Sequence, residues 1–557
     1  MKVRSDILKV YRSLHTWVGI TTGLLLFIGF FAGALTMFKQ PVDRWISPPE
    51  QRLPWVDTAQ LDSLVALTLQ QHQDARQEFS LYPIEREDLA APIQWSESGG
   101  GRGLKLSEAR NIASLDAQGQ LVTESLTPSL FGELVDMLHR TGGIPGDFDG
   151  EYVGIWILGV AAVLYFLALV SGLILLLPTL VKDFFALRRG KNNKRFWLDA
   201  HNVVGITSLP FHIVISLTVI VFAFHDQFYD ALRDVVYPVS APPANTAPAP
   251  AYSADRLLPP SELIARARTE APDFAVTELL YLGLESSRPF VRVSIYNPAA
   301  LVHGPVTGYM GMNPYTGELL MTSMLPGKAE GWGAIVNYFF ALHFGSFGGD
   351  LVRWIYFCLG LGGAFLFYSG NLLWIETRRK KLRKTDTDIP RQPRNLRWMA
   401  AGTVGVCFGS IIGICLAMAA GKWASGLAFN INHIYLWVYY FSFLLTVTYA
   451  FWRGAGRATW QLLAACAASC VLIPGTTLVA VVAPASGLWA NTSAGAVAVD
   501  ATALGFALVF TCAAIHNRKR ALHGGRDSVW ATADANAGAE PKSNRVDASA
   551  GSEEVTA

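Results

Sequence analysis

The chain has 557 residues, of which 51% are hydrophobic and 16% charged, with a formal net charge of only +2. That balance excludes nucleic-acid binding through an overall basic surface and makes membrane residence the first hypothesis. All six cysteines (Cys358, Cys407, Cys415, Cys466, Cys470 and Cys512) fall inside apolar runs, which excludes a disulfide-built framework.

About eight apolar stretches of roughly 18 to 25 residues, each long enough to cross a ~30 Å hydrocarbon core, follow one another along the chain. They begin near Trp17, Val153, His201, Trp354, Met399, His433, Trp460 and Val497. The first follows Lys2, Arg4, Lys9 and Arg12 without a small-residue cleavage site beyond it, so it reads as an uncleaved anchor. The basic runs KDFFALRRGKNNKR (Lys182 to Arg195) and RRKKLRK (Arg378 to Lys384), with Arg391, Arg394 and Arg397, are expected in the cytoplasm. Arg453 and Arg457, and Arg518, Lys519 and Arg520, fall on the same side when eight crossings are counted, which puts both termini inside.

The expected divisions are a cytoplasmic start with the first span (1–38), a hydrophilic segment (39–150), spans two and three around a basic loop (151–225) and a second hydrophilic segment (226–350). Span four with its basic loop (351–397), a four-helix membrane region (398–516) and a disordered cytoplasmic tail (517–557), polar and aperiodic from about Gly524, complete the chain. In a bacterial inner membrane both hydrophilic segments face the periplasm, and each is long enough for a small α+β module. FVRVSIY (Phe290 to Tyr296) reads as a strand, and PVSAPPANTAPAPA (Pro238 to Ala251) as a connector. Cys466 and Cys470, one helical turn apart, read as small apolar residues at a helix packing surface.

The two halves repeat. LHTWVGIT (Leu14 to Thr21) returns as AHNVVGIT (Ala200 to Thr207), and LDAQGQLV (Leu115 to Val122) is echoed by MNPYTGELL (Met312 to Leu320), each pair-member of the latter a hairpin turn centred on Gly119 or Gly317. SLFGELVDMLHR (Ser129 to Arg140) and AIVNYFFALHF (Ala334 to Phe344) both run to Leu-His and then a glycine-rich turn. Both halves enter from the cytoplasm, so the repeat is parallel, with a pseudo-twofold axis along the membrane normal.

The repeat makes His15 equivalent to His201 and His139 equivalent to His343. Two histidines facing each other across a twofold axis are what axial ligation of a b-type haem needs, and with no C-x-x-C-H in the chain the haem would be held without a covalent link. His15 with His201 would hold one haem near the cytoplasmic face, and His139 with His343 a second near the periplasmic face. His212 is the alternative ligand: it lies eleven residues after His201, about 16 Å along a straight helix and nearly on its face, with Pro210 between them expected to kink the helix.

The remaining histidines carry no assigned role: His225 and His433 at external span ends, His72 and His303 in the hydrophilic segments, His516 and His523 towards the tail. Arg12, Arg195, Arg140 and Arg353 lie near the two levels and are candidate propionate partners, with topology-setting charge the competing account of the first two. Trp17, Trp45, Trp156, Trp332 and Trp354 fit an aromatic belt.

On LHTWVGI, DAQGQLV, LHRTGG, DAHNVVGI, NPYTGEL and LHFGSFGG, in that order over roughly residues 8 to 380, the chain resembles the PepSY-associated transmembrane helix family. The resemblance implies two periplasmic PepSY-like modules and an inner-membrane reductase that takes electrons on the cytoplasmic side and reduces ferric siderophore iron in the periplasm, as the ferrioxamine-utilisation members do. Spans five to eight lie outside it. No G-x-G-x-x-G follows a strand, so the electron donor is expected to be the quinol pool or a cytoplasmic reductase. The competing readings are a permease moving siderophore or iron without redox chemistry, which should line mid-membrane with polar residues, and a non-enzymatic PepSY sensor or regulator.

Overall fold

The computed structural model describes residues 4–48, 52–86, 88–96, 106, 109–148, 150–184, 186–188, 193–232, 252–300, 307–325, 327–381, 390–427, 430–525 and 527–532. The Pro/Ala connector, His303 and the tail beyond 532 lie outside these residues, as do parts of both basic loops.

A long α1 (Ser5–Thr36) is followed by α2 (Lys39–Ile46), and α3 (Leu61–Gln71) and α4 (Phe131–Thr141) lie in the first hydrophilic segment. The return helix α5 (Val153–Leu176) leads through α6 (Leu180–Asp183) to α7 (Asn193–Thr207) and α8 (Leu209–Ala223). After α9 (His225–Ala231) come α10 (Pro260–Glu270) and α11 (Gly331–Phe344) of the second segment. Then α12 (Gly349–Arg378), α13 (Arg394–Trp423), α14 (Ile431–Arg453), α15 (Ala455–Val482) and α16 (Ala494–His523) cross the bundle in turn.

Among the described residues seven helices are long and apolar enough to cross a membrane, and the pair α7–α8, counted as one broken span, brings the number to eight. Its two pieces meet at 69°. The break falls at Ser208, where Pro210 in the first turn of α8 offers no N–H and crowds the carbonyl four residues back. The break is the kink that Pro210 leads one to expect, and at 69° it ends the straight-helix alignment of His201 with His212.

The hydrophilic segments supply β1 (Glu78–Leu81), β2 (Ile93–Ser96), β3 (Arg110–Leu115) and β4 (Leu121–Leu126), the short ribbon of β5 (Asp147–Phe148) with β6 (Glu151–Tyr152), and β7 (Ala275–Leu282), β8 (Phe290–Tyr296), β9 (Gly308–Met312) and β10 (Leu319–Met321). In place of two separate modules, eight strands form one antiparallel sheet in the order β4-β3-β2-β1-β7-β8-β9-β10. Its halves join at β1 and β7, where Phe79 pairs with Tyr281 and their rings stack at 4.4 Å. The physical reason is that each half alone would leave a hydrophobic edge strand unpaired. Leu61 and Leu64 of α3 and Leu263 and Ile264 of α10 are buried in one core beneath this joint sheet. The hairpins β3–β4 and β9–β10 turn at Gly119 and Gly317, as the sequence predicts.

The tail is ordered further than expected. After α16 ends at His523, residues 527–532 fold back: Asp527 pairs with Arg379 at 2.6 Å, and the buried Trp530 donates its indole N–H to Glu376, which Arg520 also holds. Burying an indole, bonding its N–H to Glu376 and closing one ion pair outweighs the polar composition of this stretch.

Candidate functional site: two facing histidine pairs

Helix α1 organises both levels of the site. At the basic-loop end, His15 of α1 faces His201 of α7, with ring centroids 6.3 Å apart and planes at 85°. At the sheet end, His139 of α4 faces His343 of α11, with centroids 6.1 Å apart and planes at 32°. Both latter helices stop just past their histidine, at Gly142 (φ 61°) and Gly345 (φ 57°), a left-handed cap that glycine adopts without steric cost. The stop leaves each histidine in the last turn, against the bundle.

Every one of the four rings is oriented through Nδ1. His15 Nδ1 bonds the Ala168 carbonyl at 2.8 Å and His139 Nδ1 the Gly29 carbonyl at 2.8 Å. His201 Nδ1 meets Ser369 Oγ at 2.9 Å, and His343 Nδ1 meets Thr218 Oγ1 at 2.8 Å. Ser369 gives its own proton to the Leu366 carbonyl and Thr218 gives its proton to the Val214 carbonyl, so both hydroxyls accept from the rings. Four acceptors at Nδ1 put the ring hydrogen there and leave a lone pair on Nε2. Among the described residues no protein group bonds any of these Nε2 atoms.

Two imidazoles bonded through Nε2 to one metal at ~2 Å each place their centroids roughly 6 Å apart, which is the spacing of both pairs. The rest of the donor set narrows the metal. Among the described residues no three His, Cys, Asp or Glu side chains gather as ligands, so a metal at either pair must bring its own equatorial ligands, as haem iron does. Close helix packing supports the same reading. A Cβ on Gly33 would lie 2.5 Å from His139 Nδ1, and one on Gly172 would lie 2.9 Å from His15 Cε1, so bare backbone is what admits these rings. Gly29 follows His15 by fourteen residues on α1, which sets the pairs on the order of 20 Å apart at ~1.5 Å per residue.

The structure brings together the four histidines that the repeat pairs, and it does not bring His212 into either couple. His212 is fully buried, with ring centroids of Phe211, Phe30 and Tyr165 at 5.3, 5.6 and 6.0 Å, and among the described residues neither of its nitrogens has a hydrogen-bond partner. Phe367, at 5.3 Å from Phe30 and 5.1 Å from Tyr165, extends this aromatic packing towards Ser369. His225 bonds the Phe222 carbonyl and pairs with Asp226, His72 rests against Trp95, and His433 is exposed. Arg195 and Arg188 both hold the buried Asp199, and Arg12 is exposed.

A cavity of about 1550 Å³ opens between the sheet and the His139–His343 couple, and both histidines line it. Arg140, paired with Asp136 at 2.9 Å, and Arg353, 3.5 Å from Asp350, stand in its wall with Glu278 of β7 and Tyr82. So does Asp43 of α2, whose carboxyl burial pushes up to about 7 against the pull of Lys39. The C-terminal helices brace this chamber. Buried Asn432 of α14 accepts the Leu130 N–H and donates to the Pro128 carbonyl, fixing the start of α4, while Tyr440 donates to the Gly143 carbonyl at its end. Lys422 of α13 lies 3.7 Å over the Trp45 ring, and the Trp45 indole donates to Asp500 of α16, which ties down α2.

Sequence reasoning missed Thr218, Ser369, Gly33, Gly172 and Asp43. One signal was there: Ser-Gly at 171–172 and again at 369–370 puts a glycine against each ring of the His15–His201 couple.

Comparison with curated proteins finds no match to the chain. Residues 12–377, from the turn before His15 to the end of α12, match the PepSY-associated TM region family, and the chain is a membrane protein belonging to that family.

Proposed function

We propose that the protein is a diheme reductase of the bacterial inner membrane that carries electrons outward to ferric siderophore iron. The observation that carries this reading is the pair of histidine couples, each with bare Nε2 lone pairs at a two-ligand spacing, one of them opening on the large chamber. His15 with His201, and His139 with His343, would hold haem b; bound there, haem supplies one-electron storage at two depths of the bilayer. The acceptors at Nδ1 fix ring tautomer and direction at both couples.

The basic loops 182–195 and 378–397 support a cytoplasmic side at that end, with the sheet and chamber then in the periplasm and both termini inside. We read the two halves as a parallel repeat, supported by the mirrored strand order and the recurring Ser-Gly. Ferric iron is held tightly by hard oxygen ligands, and its reduction to the softer ferrous ion loosens that hold. The chamber is of a size for a chelate, with arginines and carboxylates to meet its polar surface. Quinol or a cytoplasmic reductase would supply the electrons.

The purified protein should show a low-spin b-type spectrum on reduction with dithionite, and a ferric trihydroxamate should reoxidise it while a ferrous chelator traps the product. Absence of haem sinks the reading. Transport of intact chelate into vesicles by a His139→Ala, His343→Ala double variant would establish the permease alternative instead.

A further inference from the structure

Asp43 stands where α2 meets the first turn of α4. One carboxylate oxygen accepts the Gly132 backbone N–H at 3.0 Å, and a Cβ on Gly132 would lie 2.6 Å from both Asp43 oxygens, so the helix start is shaped to admit this group. The carboxyl is half-buried and lines the chamber that His139 and His343 also line. The charged and titratable groups around it are Lys39 on its own helix, Glu133 on α4, Asp88 from the loop after β1, and Tyr435 on α14. Lys39 is taken by Glu133 at 2.5 Å, and Tyr435 shares a hydrogen bond with Ser129. Among the described residues no cation pairs with Asp43 itself. The α4 N-terminus and its amide favour the anion, but burial outweighs them and holds the pKa at about 7, against ~4 for a solvated carboxyl.

We propose that Asp43 is the general acid of the chamber, handing a proton to an iron-liganding oxygen of the chelate as that iron is reduced. The proposal rests on the reductase reading above. With the one electron that a haem held by His139 and His343 would supply, the chelated Fe(III) becomes Fe(II). One iron–oxygen bond breaks with its electron pair left on oxygen, that oxygen takes the proton of Asp43, and the carboxylate is reprotonated from water in the chamber. Without the proton the released oxygen stays an anion and rebinds the metal.

The test mixes prereduced wild type and Asp43→Asn with a ferric trihydroxamate and, separately, with ferricyanide, which keeps its ligands and takes up no proton on reduction. In wild type the ratio of the two rates should fall as pH rises through about 7. In Asp43→Asn, whose side-chain oxygen still accepts from Gly132, the ratio should drop by on the order of tenfold or more and lose its pH dependence. On wild-type protein alone, infrared spectra should show a protonated carboxyl titrating near pH 7 that Asp43→Asn lacks. An unchanged ratio and pH profile in the variant, or no such carboxyl band, overturns the proposal. Failure of both acceptors to oxidise wild type overturns the reductase reading with it.

Discussion

Replacing Gly33 by Ala should empty the outer histidine couple and spare the inner one. The new Cβ would lie 2.5 Å from Nδ1 and 2.7 Å from Cε1 of His139, about an ångström inside ordinary contact, so the ring must move and its bond to the Gly29 carbonyl must break. Overpacking of this kind costs ~1–3 kcal/mol, and the lost hydrogen bond adds ~1 kcal/mol. Together, at ~1.4 kcal/mol per decade, haem should bind the outer couple roughly 30- to 700-fold more weakly. Two further glycines calibrate the effect. Gly172→Ala, whose Cβ meets His15 Cε1 at 2.9 Å, should weaken the inner couple less severely, and Gly370→Ala, at 3.7 Å from His201, should weaken nothing. Haem stoichiometry and a potentiometric titration of the absorbance read all three, with two redox steps expected in Gly370→Ala and one in Gly33→Ala. Equal haem retention by Gly33→Ala, or equal loss in Gly370→Ala, would refute the assignment of these rings as ligands.

Thr218→Val and Ser369→Ala each remove the acceptor that fixes one ring and should weaken haem binding ten- to hundredfold at His343 and His201 respectively, with helix content unchanged by circular dichroism; loss at the opposite couple would contradict the geometry. Asn432→Ala leaves the Leu130 amide and the Pro128 carbonyl without their buried partner and should cost about 2–4 kcal/mol of stability in detergent melts, with faster hydrogen exchange confined to residues 128–134. A melt that does not shift would detach α14 from the positioning of α4.

The membrane spans were legible because lipid demands long apolar runs, and the break at Ser208 was legible in Pro210, though its 69° angle was not. The four paired histidines were legible for a different reason: self-similarity ties His15 to His201 and His139 to His343 without any knowledge of distances. His212 shows where that stops, since its place depended on helix direction after Pro210. Thr218 and Ser369 were invisible because a hydroxyl in an apolar helix most often bonds its own backbone, and both of these do so as well. Asp43 was hidden too, because its burial is created by α4 and α14, chain segments far along the sequence. The single sheet was misread as two modules because nothing local announces that β1 finds its partner two hundred residues later.

That late partner sets a timetable for biosynthesis. Strand β1 at 78–81 emerges early, yet the strand that covers its edge, β7 at 275–282, is made only after α5, α7 and α8 have passed through the translocation machinery. Until then the first four strands wait outside the membrane with a hydrophobic margin exposed, the condition under which nascent sheets join the wrong neighbour. A ribosome stalled between α8 and β7 would therefore leave a half-sheet in need of a holding chaperone. Completion of the seam is the step that closes the chamber roof over His139 and His343, so the chamber does not exist before the second hydrophilic segment has been made.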